Sequence, residues 1–167
     1  MKQILLTLLG VLLALPALAR DFEYTYEGQT LTYTVIDEDA KTCMTKDGYY
    51  DRGWHPGNRV RGKLIIPAVA KYGNTEYSVT KLGYSAFYEC SDLTSVTIPN
   101  SVTFIGSEAF YGCRNLIVAN FASIESMCAI EFESDAANPL YYAKHLYFGG
   151  KEVTEVVIPE SLTSIGN

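Results

Sequence analysis

The sequence predicts a right-handed stack of β-rich repeats, mainly β with short helical or turn returns, preceded by an N-terminal β cap. Three observations indicate this fold. A pattern recurs without gaps at an offset of 23 residues, its apolar residues are spaced as in short strands, and the residues ahead of it alternate between apolar and polar without repeating. One copy is too small to bury its own apolar face, so stability must come from the stacking of neighbouring copies.

The first nineteen residues have the features of an export signal. A positively charged start is followed by an almost unbroken aliphatic run over residues 4–15, and Ala17 and Ala19 are small residues at the positions that a signal peptidase reads. The run is shorter than the roughly 20 residues needed to cross a bilayer. We therefore expect a signal peptide at residues 1–19, a mature chain that starts at Arg20, and no transmembrane segment in that mature chain.

Composition restricts the partners. The formal net charge is −6 and no basic cluster is present, so the chain should repel a phosphate backbone and nucleic acid is not an expected partner. Four cysteines would enter an oxidising compartment. Four in a chain of this length are too few for a disulfide-dense scaffold. They are Cys43, Cys90, Cys113 and Cys128.

Residues 20–62 are predicted to form the N-terminal β cap. Apolar residues alternate with period two on both sides of Gly28, which predicts a hairpin. They are Phe22, Tyr24 and Tyr26 before the turn and Leu31, Tyr33 and Val35 after it. Residues 46–61 are rich in glycine and charge and are predicted to be loop. A terminal unit must differ from its neighbours because its outer face meets water, which explains why this segment does not repeat.

The repeats occupy residues 63–167. The matching segments are 79–93 with 102–116, 98–106 with 158–166, and 64–67 with 96–99. In one unit, Leu93, Val96 and Ile98 would point inward from a first strand that Pro99 ends, because proline cannot donate to a ladder. A second apolar pair then precedes Gly106, and a turn-like or short helical return follows.

Consecutive copies are expected to form rungs. This places Phe87 over Phe110 and Leu82 over Ile105 in one interior column. The period of 23 residues lies in the range of leucine-rich repeats, so the predicted fold class is a leucine-rich repeat solenoid.

The run from residue 95 to residue 113 resembles the repeat of BspA-like leucine-rich repeat proteins, which are surface proteins of bacteria and protozoa. The resemblance is close over residues 63–118 and 144–167. It implies a leucine-rich solenoid, secretion or surface display, and binding to other macromolecules rather than catalysis. Members of the family are associated with adhesion to host matrix proteins and with co-aggregation. The last two residues correspond to residues 106–107, so either the array is truncated at its C-terminus, as we expect, or its last rung is left open.

Two insertions interrupt the period. Residues 68–78 carry a turn signal between two extended arms. The second insertion predicts a short helix capped by Ser123, a turn at Asn138-Pro139, and a hairpin around Gly149-Gly150. The helical spacing comes from Ile124, Met127, Cys128 and Phe132, and the hairpin arms are residues 145–148 and 152–158.

Candidate chemistry has a simpler structural interpretation in each case. Cys90 and Cys113 share one repeat position, about 5 Å apart by strand spacing, so they either form a disulfide or, as we favour, are small buried hydrophobes. The resemblance supports packing, because family repeats commonly carry a cysteine there. His55 and His145 lie in no ligand-spaced motif, and residues 37–39 lack the spacing of a calcium loop and favour a solvated turn. No catalytic, cofactor or metal residue is assigned, and the protein is predicted not to be an enzyme.

Six aromatic residues allow two interpretations. They form a platform for a sugar or protein partner, or, as we favour, they cover the insertion and the cap against the solenoid. They are Tyr49, Tyr50, Trp54, Tyr141, Tyr142 and Tyr147. The predicted function is that of a secreted or cell-surface protein that binds an extracellular protein or glycan in adhesion-type recognition. The alternatives are a passive spacer or assembly module of a longer envelope protein, and an accessory part of an envelope enzyme.

Overall fold

The structure, a computed structural model, describes residues 20–50 and 53–155, without the side chains of Tyr50 and Trp54. The described part is mostly β, with one short α-helix, so the mainly β prediction is confirmed. The strands are β1 (Asp21–Tyr26), β2 (Gln29–Asp37), β3 (Thr42–Thr45), β4 (Tyr49–Tyr50), β5 (Trp54–His55), β6 (Gly62–Ile65), β7 (Val69–Tyr72), β8 (Thr75–Leu82), β9 (Leu93–Ile98), β10 (Phe104–Ile105), β11 (Val118–Phe121), β12 (Glu131–Phe132), β13 (His145–Phe148) and β14 (Lys151–Glu152). The helices are α1 (Ile124–Cys128) and two 3-10 turns, Asp135–Ala137 and Pro139–Tyr141.

The first strand of each repeat joins one five-stranded sheet. Its order is β14-β13-β11-β9-β6, and β6, β9, β11 and β13 are parallel neighbours. Val96 pairs with Leu64 on one side and with Ala119 on the other, so equivalent residues of successive copies lie in register. Leu93, Val96 and Ile98 are all buried, as the apolar spacing of the sequence predicts.

The second strand of each repeat joins another sheet, in which β3, β8, β10 and β12 are parallel neighbours. Leu82 pairs with Ile105, which confirms the predicted contact at the 23-residue offset. The sequence did not predict β3, which belongs to the non-repeating segment yet pairs with β8. The hairpin β1–β2 extends this sheet beyond β3, and β7 pairs with β8.

The returns of successive copies stack along a third side, called here the turn side and made of residues 83–92, 106–115 and 133–142. Backbone hydrogen bonds join the copies. The amide of Phe87 donates to the Ala109 carbonyl at 2.9 Å, and the amide of Glu89 donates to the Tyr111 carbonyl at 2.6 Å. The fully buried rings of Phe87 and Phe110 stack at 5.5 Å between centroids with an interplanar angle of 20°. The predicted interior column is therefore confirmed.

Glycine lets the rungs approach closely where the second strand meets the turn side. A Cβ atom on Gly106 would lie 2.7 Å from the backbone nitrogen of Tyr84 and 2.9 Å from its Cα. The amide of Gly106 donates to Leu82 at 2.9 Å across the same gap. Any side chain at this position would separate the rungs that this bond joins.

The non-repeating segment continues the turn side upstream. The amides of Gly48 and Asn58 donate to Tyr84 and Ala86, at 2.6 and 2.7 Å. The prediction that residues 46–61 are loop is wrong for β4 and β5, which form a two-stranded antiparallel ladder. The ring of Tyr49 stacks on that of His55 at 4.8 Å, a cross-strand contact that stabilises this short pair.

The hairpins and the helix agree with the sequence in position. Hairpins form around Gly28, at residues 72–75 and around Gly149-Gly150, and the Ser123 hydroxyl caps α1 by accepting from the Ser126 amide. Phe132 is the exception, because the helix ends at Cys128 and Phe132 belongs to β12, where it pairs with Ile105 of β10. The predicted second arm of the last hairpin, residues 152–158, is strand only at Glu152, and residues 153–155 are not strand. Residues 156–158 of that arm, the signal peptide and the repeat copy at 158–166 lie outside the described residues.

Candidate recognition surfaces

The outward residues of the five-stranded sheet form two columns, named here the sheet face. They are Lys63, Ser95, Val118 and His145 in one column and Ile65, Thr97, Asn120 and Tyr147 in the other. All eight are exposed or half-exposed. The column between them points inward and is uniformly apolar, with Leu64, Val96, Ala119 and Leu146. The outward chemistry therefore varies from rung to rung over a constant core.

Polar contacts hold part of the sheet face in place. The Asn120 amide group donates to the Thr97 hydroxyl at 3.4 Å and accepts from the Gly150 amide at 3.0 Å. The Nδ1 atom of His145 lies 2.5 Å from the carboxylate of Glu152 on β14. These side chains are oriented before any partner arrives, which lowers the entropic cost of binding.

A row of tyrosines runs along the turn side. The rings of Tyr88 and Tyr111 stack at 5.2 Å with an interplanar angle of 19°, and the Gly112 amide donates to the Tyr142 hydroxyl at 2.9 Å. Partial burial raises the pKa of Tyr88, and the carboxylate of Glu89 raises it further. Sequence reasoning overlooked Tyr88 and Tyr111, although their shared repeat position was the signal that could have found them.

Two carboxylates replace ladder hydrogen bonds at the edge of the turn side. Asp47 accepts from the Tyr84 amide and Glu133 accepts from the Ser107 amide, both at 2.7 Å. Burial raises the pKa of Asp47, despite the amide that lowers it. Glu133 follows β12, whereas Ser107 follows β10. This hydrogen bond therefore joins the Glu133 side chain to the backbone of the previous rung.

A cavity of about 660 Å³ lies downstream of this edge, between α1, β12 and the two 3-10 turns. Within residues 20–50 and 53–155, β12 pairs only with β10, and Phe132 of β12 lines the cavity. Its walls are apolar, and its polar groups come mainly from the segment after β12. The lining residues are Met127, Cys128, Ile130, Phe132, Glu133, Ser134, Asp135, Asn138, Leu140 and Tyr141.

The aromatic residues of the predicted platform are distributed over different elements. Tyr49 belongs to the β4–β5 pair, where it stacks on His55, and Tyr147 lies on the sheet face. Tyr141 and Tyr142 contact each other edge to face at 5.0 Å, and Tyr141 is 62% exposed beside the cavity. The side chains of the other two, Tyr50 and Trp54, lie outside the description.

The four cysteines are free. The thiol of Cys113 donates to the Phe87 carbonyl and that of Cys90 to the Asn58 carbonyl, each at 3.3 Å, so both serve as buried, hydrogen-bonded packing residues. Burial raises the pKa of Cys113 to about 12. Cys128, which lines the cavity, is the more accessible thiol.

The predicted turn at residues 37–39 uses its own carboxylate. Asp37 accepts from the amides of Asp39 and Ala40 at 2.9 and 2.7 Å, and Glu38 accepts from the Tyr77 hydroxyl at 2.8 Å. Over residues 20–50 and 53–155, no group of three or more metal-ligating side chains comes together. In the same part of the chain, no helix has the length and apolarity required to cross a membrane.

The chain matches the family model described as BspA type leucine rich repeat region, with 6 copies, over residues 71–167. The match covers more than half of the 167 residues. Among curated proteins, no sequence matches the chain.

Similar solved structures come from three bacteria. A leucine rich cell surface protein from Faecalibacterium prausnitzii is 23% identical with a TM-score of 0.46, over 73% of this chain and 29% of its own. A leucine-rich repeat protein from Bacteroides capillosus is 26% identical with a TM-score of 0.41, over 71% of this chain and 93% of its own. A leucine-rich repeat protein from Bacteroides ovatus is 25% identical with a TM-score of 0.44, over 86% of this chain and 38% of its own. The chain spans less than a third of the Faecalibacterium protein.

Proposed function

Because the chain belongs to the BspA-type leucine-rich repeat family, we propose that it acts at the cell surface or after secretion by binding an extracellular protein or glycan, without catalysis. Residues 1–19 would direct export, residues 20–62 would cap the stack, and residues 63–167 would form a leucine-rich solenoid. This proposal gives the repeat array the task of presenting a surface to a macromolecule.

The sheet face is the observation that carries the proposal. Its inward column keeps one apolar character through four rungs, whereas its outward columns change from Ser95 to Val118 to His145 and from Thr97 to Asn120 to Tyr147. A rigid parallel sheet fixes the spacing of these side chains, and their chemistry can change without loss of the core. Recognition of an extended partner needs this combination of fixed geometry and variable chemistry.

A glycan and matrix-protein binding array tests the proposal. The exported chain should give saturable binding to at least one member, and the variant Thr97→Arg should weaken it roughly tenfold, because a bulky cation at the centre of a contact costs about 1.4 kcal/mol or more. Asn115→Arg adds the same charge at an exposed position of the turn side and should leave that binding unchanged.

Each contrary result has a defined meaning. No saturable binding to any member would contradict recognition and favour a passive spacer or assembly module. Equal losses for the two arginine variants would contradict the assignment to the sheet face, because net charge would then account for the effect.

A further inference from the structure

The cavity below β12 combines three features that suit one kind of occupant. Apolar walls formed by Met127, Ile130, Phe132 and Leu140 enclose a volume of about 660 Å³. This volume lies within the roughly 300–1,000 Å³ of small-molecule sites. The opening also holds two carboxylates and an exposed tyrosine ring, so the cavity is apolar along its walls and anionic at one side.

Charge decides between the possible occupants. Glu133 and Asp135 line the cavity, and among the described residues no lysine, arginine or histidine lines it. Both acidic residues are exposed, and one oxygen of Glu133 is engaged by the Ser107 amide, which fixes the direction of the carboxylate. The two carboxylates would repel an anionic occupant and attract a cationic one, whereas a neutral occupant would gain nothing from them.

The third feature is the ring of Tyr141. It is 62% exposed, and its neighbour Tyr142 contacts it edge to face while accepting a hydrogen bond from the Gly112 amide. The ring is therefore braced on the turn side while it lines the cavity. An aromatic ring beside carboxylates attracts a cationic group through its π face.

From these contacts we propose that the cavity receives a basic side chain, arginine or lysine, presented by an exposed segment of a partner protein. The aliphatic stem would lie along the apolar walls, as such stems do on apolar surfaces. The cationic head would meet Glu133, Asp135 and Tyr141. The inference rests on the proposed recognition function and adds to it the class of partner and a second place of contact, apart from the sheet face.

Cys128 supplies an internal reporter of occupancy. It lines the cavity and is partly accessible, whereas Cys43, Cys90 and Cys113 are buried. The rate at which a disulfide reagent modifies Cys128 in the native protein should therefore fall when a ligand fills the cavity. The probe is the peptide acetyl-Gly-Ser-Gly-Arg-Gly-Ser-Gly-amide, used at millimolar concentration because a single side chain binds weakly.

The arginine peptide should slow modification of Cys128 in a saturable manner, at least threefold at saturation. The same peptide with citrulline in place of arginine keeps the shape without the charge and should give no protection. Asp135→Asn and Glu133→Gln should each raise the half-saturating concentration about two- to fivefold, the size of one exposed ion pair. Glu131→Gln is the matched control, because Glu131 is exposed on β12 but does not line the cavity.

Several results would overturn the inference. Equal protection by the citrulline or a norleucine peptide would identify a general apolar cavity, and equal effects of Glu131→Gln and Asp135→Asn would identify a net-charge effect. A Cys128 thiol that is unreactive without ligand would mean that another part of the protein fills the cavity. Absence of protection while the binding array still shows saturable binding would refute this site and leave the proposed function standing.

Discussion

Replacing Gly106 by alanine adds a methyl group to a gap between rungs that has no room for it. The new Cβ would lie 2.7 Å from the backbone nitrogen of Tyr84 and 2.9 Å from the carbonyl carbon of Gly83. All the nearest atoms are backbone atoms, so no side-chain rotation relieves the contact. The two rungs must move apart by about 0.7 Å to restore an ordinary van der Waals separation of about 3.4 Å or more.

This displacement acts on the hydrogen bonds that join the copies. The bond from the Gly106 amide to the Leu82 carbonyl is 2.9 Å long, and an added 0.7 Å would carry it past the useful range. Losing one such bond costs about 1 kcal/mol, and overpacking costs about 1–3 kcal/mol more. The lower entropy of alanine in the unfolded chain offsets about 0.4–1 kcal/mol. We therefore expect a net loss of about 1–3.5 kcal/mol, centred near about 2 kcal/mol, from the free energy of unfolding.

Urea denaturation followed by circular dichroism measures this loss. With a urea dependence of about 1–3 kcal/mol per molar, the midpoint should fall by about 1–2 M. Gly150→Ala is the matched control, because Gly150 has a φ of 80° and no atom within 4 Å of the added carbon. Its backbone strain of about 1–2 kcal/mol is offset by the same contribution of about 0.4–1 kcal/mol from the unfolded chain, so the net loss should be about 0–1.6 kcal/mol. An unchanged midpoint for Gly106→Ala, or a larger loss for the control, would refute the argument from close rung contact.

Three further predictions concern the turn side and the thiols. Glu89 has a φ of 52°, so Glu89→Gly should relieve strain and raise stability by about 0.5–1 kcal/mol in the same urea assay; a lower midpoint would count against strain there. In native protein a thiol reagent should modify Cys128 rapidly and the other three cysteines only after unfolding, and rapid modification of two or more thiols would contradict the described packing. Burial raises the folded-state pKa of Asp47 above its ordinary value, so ionisation of Asp47 on going from pH 3 to pH 7 costs stability. Asp47→Asn, which can still accept from the Tyr84 amide, should gain stability relative to the parent as pH rises through this window, and a constant difference would argue against a raised pKa.

The contacts that follow from repeat position could be predicted from the sequence. Phe87 and Phe110 are equivalent residues at an offset of 23, so stacking the copies places one ring over the other without any knowledge of the remaining chain. The same reasoning placed Leu82 beside Ile105. Local signals were equally sufficient for the hairpins and for the Ser123 cap, because those structures depend on residues close in sequence.

The missed features depend on contacts between segments that are not copies of each other. β3 pairs with β8 across more than thirty residues, and β4 pairs with β5 inside a segment whose composition resembles a loop. The cavity arises from α1, β12 and the two 3-10 turns, in a stretch of sequence that does not align with the other copies. Met127 and Asp135 were visible in the sequence, but only tertiary packing brings them to one opening.

The in-register pairing of copies at a constant offset means that the length of this protein can change in whole units. Inserting a second copy of residues 83–105 after Ile105 would keep the native Ile105-Gly106 junction and would create one new junction, in which Gly83 follows Ile105 instead of the equivalent Leu82. Both sheets would gain one strand, the phenylalanine column would gain one ring, and neither the upstream hairpin nor the downstream insertion would have to adjust. Duplication of this kind is a simple route by which such a protein lengthens its surface while each end keeps the neighbour it evolved with.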